Sequence, residues 1–240
     1  MTVLIFRPEQ KCAPSVARFF AAGLPAVGVG LISTQANEQA LSSLPGTLRT
    51  LSSGDGIIVT STVVGQLLAQ QRIELPNAAT IFAVGSSTAE GLRAQGYDVI
   101  VPLVPTTEGL LALTPLKEIA GHKVVIIKGQ GGREDLAQQL TQRGAAVLLA
   151  DIYQRIKIAT PKATQEWQAK QIRCIIATSG EMIDTAFEHF DAKWLQSLPW
   201  IVVSPRTEQI AAKRGINTIF VSDDASDQAL IRRAKEFLEH

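Results

Sequence analysis

Reactive side chains are scarce in this chain. Its 240 residues hold two cysteines, three histidines and two tyrosines. Cys12 and Cys174 form no Cys-x-x-Cys pair and sit among apolar or helical neighbours. A disulfide framework is excluded, and a reduced cytosolic setting is expected. His122, His189 and His240 are scattered without metal-ligand spacing, so no metal site is expected. They also stand away from the polar strand ends, which leaves no Ser-His-Asp set. Neither GxGxxG nor GxxxxGKS/T occurs, and a nucleotide cofactor is not expected.

Net charge is equally spare. Lys and Arg number 23 against 22 Asp and Glu, for a formal charge of +1. Bulk electrostatics therefore points to no nucleic acid partner and no anionic membrane surface. Anion binding would have to come from local arrangement. No apolar run reaches the length of a membrane span. The first residues read as a strand, without a charged segment before a long apolar one, so no signal peptide is expected. The expected location is the cytoplasm.

What the chain does contain is a repeat, at an interval of about 120 residues. VLIF at Val3–Phe6 returns as VVII at Val124–Ile127. DGIIVTS at Asp55–Ser61 returns as RCIIATS at Arg173–Ser179. The segment Thr80–Val101 returns as Trp200–Phe220, with Thr88 on Thr207 and Gly96 on Gly215. Two such units imply a cleft between them, a preferred place for a small-molecule site.

Each unit alternates short apolar runs with amphipathic stretches. The runs are Val3–Phe6, Ala26–Ile32, Gly56–Thr60, Thr80–Val84 and Asp98–Val101, then Lys123–Lys128, Ala146–Ile152, Arg173–Thr178, Trp200–Val203 and Thr218–Val221. They are β-branched and nearly continuous, as suits parallel strands buried on both faces. Helices are predicted over Ala13–Ala22, Glu38–Leu51, Thr88–Gln95, Arg133–Gln142, Ala163–Ala169 and Thr207–Arg214. Gly23, Gly96, Gly144 and Gly215 suit left-handed stops after helices. The expectation is ten strands in two five-stranded, doubly wound α/β sheets.

Polar residues gather where strands end and helices start. Ser87–Glu90 and Thr178–Glu181 read as capping boxes, and Ser204 as a cap before Pro205. Thr60-Ser61 and Thr178-Ser179 hold equivalent places. In an open α/β sheet this is the ligand edge, and unpaired helix N–H groups there can hold anions. The candidate substrate contacts are Arg7, Ser61, Ser86, Thr88, Lys128, Arg133, Ser179 and Thr207. The capping residues could equally be plain caps, and the cations ordinary surface charge. The turn Gly129–Arg133 could touch a ligand or simply be tight. Tyr153 follows an apolar run, while its repeat counterpart near Ile32 is not aromatic. It could be a packing residue with a wet hydroxyl.

Taken in order, VLIFRPEQ, DGIIVTS, AVGSSTAEGLRAQGYDV with PTTEGLL, the long segment VVIIKGQGG to DIYQR, and VVSPRTEQIAAKRG resemble the uroporphyrinogen-III synthase family. The likeness covers nearly the whole chain. It rests on order and spacing more than on any one motif. It implies two flavodoxin-like doubly wound parallel-sheet domains joined by a two-segment linker. Residues 1–35 and 156–240 would form a discontinuous domain and 36–155 the other, with the active-site cleft between them. Sequence pattern alone would divide the chain near Pro115; the crossed connection comes from the family.

The resemblance implies closure of hydroxymethylbilane to uroporphyrinogen III, with inversion of the terminal pyrrole ring and loss of water, and no cofactor. By position, Tyr153 matches the family's tyrosine proposed to assist departure of the hydroxyl. Thr88 and Thr207 match threonines that face the cleft, and Ser61 and Ser179 match polar residues after the third strands. A monomer is implied, meeting the preceding pathway enzyme transiently. Three departures stand out. Phe6 replaces a frequent threonine, Lys128 a common arginine, and Ser204 the glycine that Gly85 keeps in the other copy. The alternative is a two-domain small-molecule binding protein or ligand sensor of the same fold.

Overall fold

The computed structural model describes residues 2–131 and 134–238. Nine strands form among them: β1 (Thr2–Pro8), β2 (Ala26–Ala36), β3 (Gly56–Val59), β4 (Thr80–Ala83), β5 (Lys123–Gly129), β6 (Ala146–Lys157), β7 (Ile172–Ala177), β8 (Trp200–Val202) and β9 (Ile219–Val221). The chain divides into two compact units, one of Met1–Thr34 with Ile156–His240, the other of Gln35–Arg155. Both boundaries fall inside strands, β2 and β6.

In the discontinuous unit the parallel strands lie in the order β2-β1-β7-β8-β9. That is the flavodoxin-like order 2-1-3-4-5. In the continuous unit the order is β4-β3-β5-β6, also parallel, and Ile100 bridges Phe82 outside β4. The same order appears with its starting point moved: β5 and β6 precede β3, β4 and the Ile100 segment. Each chain path reverses direction beside a central strand, between β1 and β7 in one unit and between β3 and β5 in the other.

Why these strands are central follows from their residues. Leu4 and Phe6 of β1 enter one core, with Trp200 and Met182; Val3 and Ile5 enter the opposite core, with Phe19 and Leu230. In β3 and β5, Ile57, Val59, Val125 and Ile127 face one core and Ile58, Val124 and Ile126 the other. Alternation of side chains across a pleated strand demands apolar residues at every position when helices cover both faces. Strand β6, the last in its unit's order, departs from that expectation. Its Leu148 and Leu149 are exposed, and only Ile152 and Tyr153 are buried.

Gly23, Gly96, Gly144 and Gly215 all take positive φ, between 80° and 92°, where they stop helices. A side chain would strain that backbone.

Several local expectations need correction. Asp98–Val101 forms no strand, only the single Ile100 bridge: Pro102 has no N–H to continue a ladder. Ala163–Ala169 is not a helix. Ala163 bridges Val29 antiparallel and Thr164 N–H donates to Gly28 O at 2.9 Å, so the segment covers the edge of β2. The first helix begins at Glu9 rather than Ala13 and carries Pro14 inside it. The cap of helix Ser86–Arg93 is Gly85, without a side-chain bond, so Ser87 does not open a box. The cap of helix Gly180–His189 is Ser179, not Thr178.

Candidate functional site

In the continuous unit the polar candidates collect at the carboxyl edge of the sheet, beside the reversal between β3 and β5. Ser61 follows β3 and caps helix Thr62–Gln70, its Oγ accepting from Val64 N–H at 3.4 Å. Lys128 and Gly129 end β5. Tyr153 lies across the pairing on β6. In a doubly wound sheet this reversal is the usual ligand position.

Tyr153 is held there by an irregularity in pairing. Lys128 pairs with Asp151, but Gly129 pairs with Tyr153, so the register shifts by one residue between them. Ile152 and Tyr153 consequently both turn into the same core. A shift of this kind re-aims a side chain that strict alternation would send to the opposite face. The ring lies 5% exposed against Gly129, and its hydroxyl meets Ser61 Oγ at 3.2 Å. Gln130 N–H donates to Tyr153 O at 2.7 Å and locks the backbone beyond the shift.

The other candidates differ in what their polar atoms are doing. Lys128 is buried with Nζ 2.8 Å from Asp151 Oδ1, so its charge is balanced inside the unit. Ser86 is exposed in the first turn of its helix, and Thr88 is buried two residues on. The Thr88 hydroxyl makes no hydrogen bond among the described residues. Arg133 lies outside the described residues, so the Gly-rich turn is described only through Gly131.

In the discontinuous unit, Ser179 caps its helix by accepting from Met182 N–H at 3.3 Å. Thr207 is buried, and its Oγ1 accepts from Val203 N–H and Ser204 N–H at 3.2 and 3.0 Å while donating to Ser204 O at 2.7 Å. With Ser204 it forms a capping box, which makes it unlike its repeat partner Thr88. Arg7 is buried too. Its guanidinium donates to Asp227, to Ser15 Oγ at 2.7 Å and to Ala225 O at 3.0 Å. This strand-end cation already meets an internal carboxylate.

Burial alone would raise the Asp227 carboxyl, but hydrogen bonds from Ser15 and Arg18 and the Arg7 charge hold it below the ordinary carboxylate value. Asp55 is lowered in the same manner: burial opposes, and Lys123 N–H with Ser52 N–H and Oγ outweigh it. Asp55 sits at the amino end of β3, away from the candidates. Burial pushes the thiols of Cys12 and Cys174 up to about 11 and about 12. Among the described residues no group of His, Cys, Asp or Glu could hold a metal ion, and no helix is long and apolar enough to cross a membrane.

Sequence reasoning missed three partners: Asp151 for Lys128, Asp227 for Arg7, and Gly129 for Tyr153. The first and last had a legible signal. Once Lys128-Gly129 is placed at the end of one strand and Asp151–Tyr153 at the end of its neighbour, only their register is unknown. Asp227 is distant in sequence and gave no such signal.

Fold and polar edge together define a two-unit, doubly wound α/β protein with the layout of a small-molecule enzyme. A family model described as "Uroporphyrinogen-III synthase HemD" matches residues 14–232. Uroporphyrinogen-III synthases of Salmonella typhimurium and Escherichia coli K12 are each 32% identical over 97% of this chain and 99% of their own. That of Proteus mirabilis is 30% identical over 81% of this chain and all of its own. The chain belongs to the uroporphyrinogen-III synthase family. Among solved structures, the Helicobacter pylori 26695 synthetase has a TM-score of 0.64 at 14% identity, covering 99% of this chain and 100% of the other. A mutant Thermus thermophilus synthase has a TM-score of 0.60 at 13% identity, over the whole of both chains. At such identities the likeness is one of fold.

Proposed function

We propose that this protein closes hydroxymethylbilane to uroporphyrinogen III, inverting the terminal pyrrole ring and releasing water, as a cyclising hydro-lyase of tetrapyrrole biosynthesis. Membership of the family supports the reaction. The observation that carries the chemistry is the Tyr153 hydroxyl, seated at the reversal of a doubly wound sheet and 3.2 Å from Ser61 Oγ.

The step asked of Tyr153 is a proton transfer. Its O–H protonates the departing hydroxyl of the substrate; the C–O bond breaks and water leaves. The terminal pyrrole attacks the electrophilic azafulvene carbon through its substituted carbon, giving the spiro intermediate that the family resemblance implies. The bond from that pyrrole carbon to its original bridge carbon then breaks. The freed bridge carbon is taken by the pyrrole's unsubstituted α-carbon, and the proton lost from that α-carbon restores the phenol. Positioned general acids contribute ~10²–10⁴-fold. The larger demand is on folding a flexible chain so that the inverted product forms, which is an orientation problem.

Helix starts at Ser61, Ser86, Ser179 and Ser204 can meet substrate carboxylates through N–H groups and helix dipoles, each contact contributing roughly 0.3–1 kcal/mol when exposed. Thr88, with its hydroxyl unengaged, suits such a contact better than Thr207 does. In this reading the protein acts as a monomer in the cytoplasm, without metal or nucleotide, as the family resemblance implies.

The test is to incubate the purified protein with enzymatically generated hydroxymethylbilane, oxidise, and separate the isomers by chromatography. The type III isomer is expected. Recovery of only the type I isomer, the product of unaided cyclisation, would overturn the assignment.

A further inference from the structure

We propose that Ser61 is a positioning residue for Tyr153: it donates its hydroxyl hydrogen to the phenol oxygen, so that the phenol's own hydrogen points to the substrate. The inference rests on the reading of Tyr153 as the proton donor. It assigns Ser61 a task other than contact with the substrate.

The hydrogen-bond inventory carries it. Ser61 Oγ already accepts from Val64 N–H, as the cap of helix Thr62–Gln70. A hydroxyl has one hydrogen to give. Its other hydrogen-bond partner is Tyr153 Oη, at 3.2 Å, a contact in which either hydroxyl can be the donor. The positive end of the helix stabilises negative charge developing on Ser61 Oγ as its O–H is polarised, which strengthens it as a donor. Were the bond reversed, the phenol hydrogen would be spent on Ser61 and unavailable for transfer.

The seat beneath the ring is Gly129. A Cβ there would lie 2.6 and 2.9 Å from Tyr153 Cε2 and Cε1, and closer still to Cζ. Such a contact would push the ring off its place and break the approach to Ser61. Gly129 also pairs with Tyr153 at the register shift, so one residue sets both the backbone turn and the ring's clearance. The equivalent position in the other unit is Pro8, which pairs with Ile32 after the same shift. That copy of the seat carries no hydroxyl, so Ser179 there has only its cap to make.

The variant to use is Ser61→Gly, because glycine keeps most of the cap. Loss of one hydrogen bond should lower kcat about two- to tenfold, with KM little changed. Ser61→Thr keeps cap and hydroxyl and should restore most of the rate. The deciding measurement is the double variant with Tyr153→Phe. If Ser61 works through the phenol, Ser61→Gly lowers kcat no further in that background. Losses that multiply in the double variant would overturn the positioning role and return Ser61 to direct substrate contact. A Ser61→Gly rate equal to wild type, beside a slow Tyr153→Phe, would overturn it too. Wild-type kcat in Tyr153→Phe alone would instead remove the reading of Tyr153 as donor, and this proposal with it. Gly129→Ala should match Tyr153→Phe in rate while keeping a folded thermal transition.

Discussion

Ile32 holds in one unit the place that Tyr153 holds in the other. Each follows a register shift: Arg7 pairs with Gly30 and Pro8 with Ile32, as Lys128 pairs with Asp151 and Gly129 with Tyr153. In both copies the skipped residue and its successor, Leu31-Ile32 and Ile152-Tyr153, enter one core. The scaffold was duplicated, and a phenol is present in only one copy. A packing role alone would be met by isoleucine, as the other copy demonstrates. The hydroxyl is what the comparison leaves to explain.

Tyr153→Phe should therefore keep the fold and lose rate. The ring packing survives, and only the donor goes. The reaction proceeds unaided to the type I isomer, so water can partly compensate, and a fall of about a hundredfold or somewhat less is expected. Steady-state turnover should be measured beside the thermal unfolding curve. Wild-type turnover would return Tyr153 to packing.

Asp227→Asn should act on stability. It leaves Arg7 buried without its counter-charge, a change that costs about 3–5 kcal/mol in comparable buried pairs. The Asp227 carboxyl titrates below its unfolded value in the folded protein. Its contribution is thus complete above the unfolded pKa and lost as pH falls through the folded one. Denaturant unfolding followed from neutral pH downwards should show a lower plateau and a shallower acid limb in the variant. An unchanged acid limb would mean that Asp227 is not the group responsible.

Repeat partners Thr88 and Thr207 should part company. Thr207→Ala removes four bonds at a helix start and should cost about 1 kcal/mol, in the range of a lost cap. Thr88→Ala breaks no side-chain hydrogen bond among the described residues, so its cost should appear in KM. Both should slow turnover less than Tyr153→Phe. Chemical denaturation and Michaelis kinetics on the pair separate the two effects.

Neither thiol should react with a disulfide reagent at pH 8 in the folded protein. Cys12 and Cys174 are buried, and burial pushes them up to about 11 and about 12, so the thiolate is scarce as well as hidden. Both should label once denaturant is added. Fast labelling of Cys12 under native conditions would show that the first helix opens locally.

The strands were legible because parallel strands covered on both faces must be apolar at every position. Val3–Phe6, Gly56–Val59 and Val124–Ile127 satisfy that without help from context. Asp98–Val101 has the same pattern but starts on an exposed aspartate and runs into Pro102, which has no N–H to donate to a ladder. Ala163–Ala169 had helical spacing, but its backbone bonds to the edge of β2 instead. The candidate site was legible in position and not in state. Strand ends and caps can be counted along a chain. Whether Arg7 or Lys128 is already neutralised depends on Asp227 and Asp151, whose approach is set by packing.

The unit boundaries inside β2 and β6 have a consequence for synthesis. The first 34 residues belong to a unit whose remaining strands begin only after residue 156. At ~5–20 residues per second, roughly ten seconds separate the emergence of β1 and β2 from that of β7. Meanwhile β1 lacks its partner on one side, and the Val3–Phe6 run lies open to any other nascent strand. The inserted unit has all of its strands in hand before that wait is over. The protein thus emerges with a finished middle and an unfinished beginning, and its most exposed moment in the cell comes before the chain is complete.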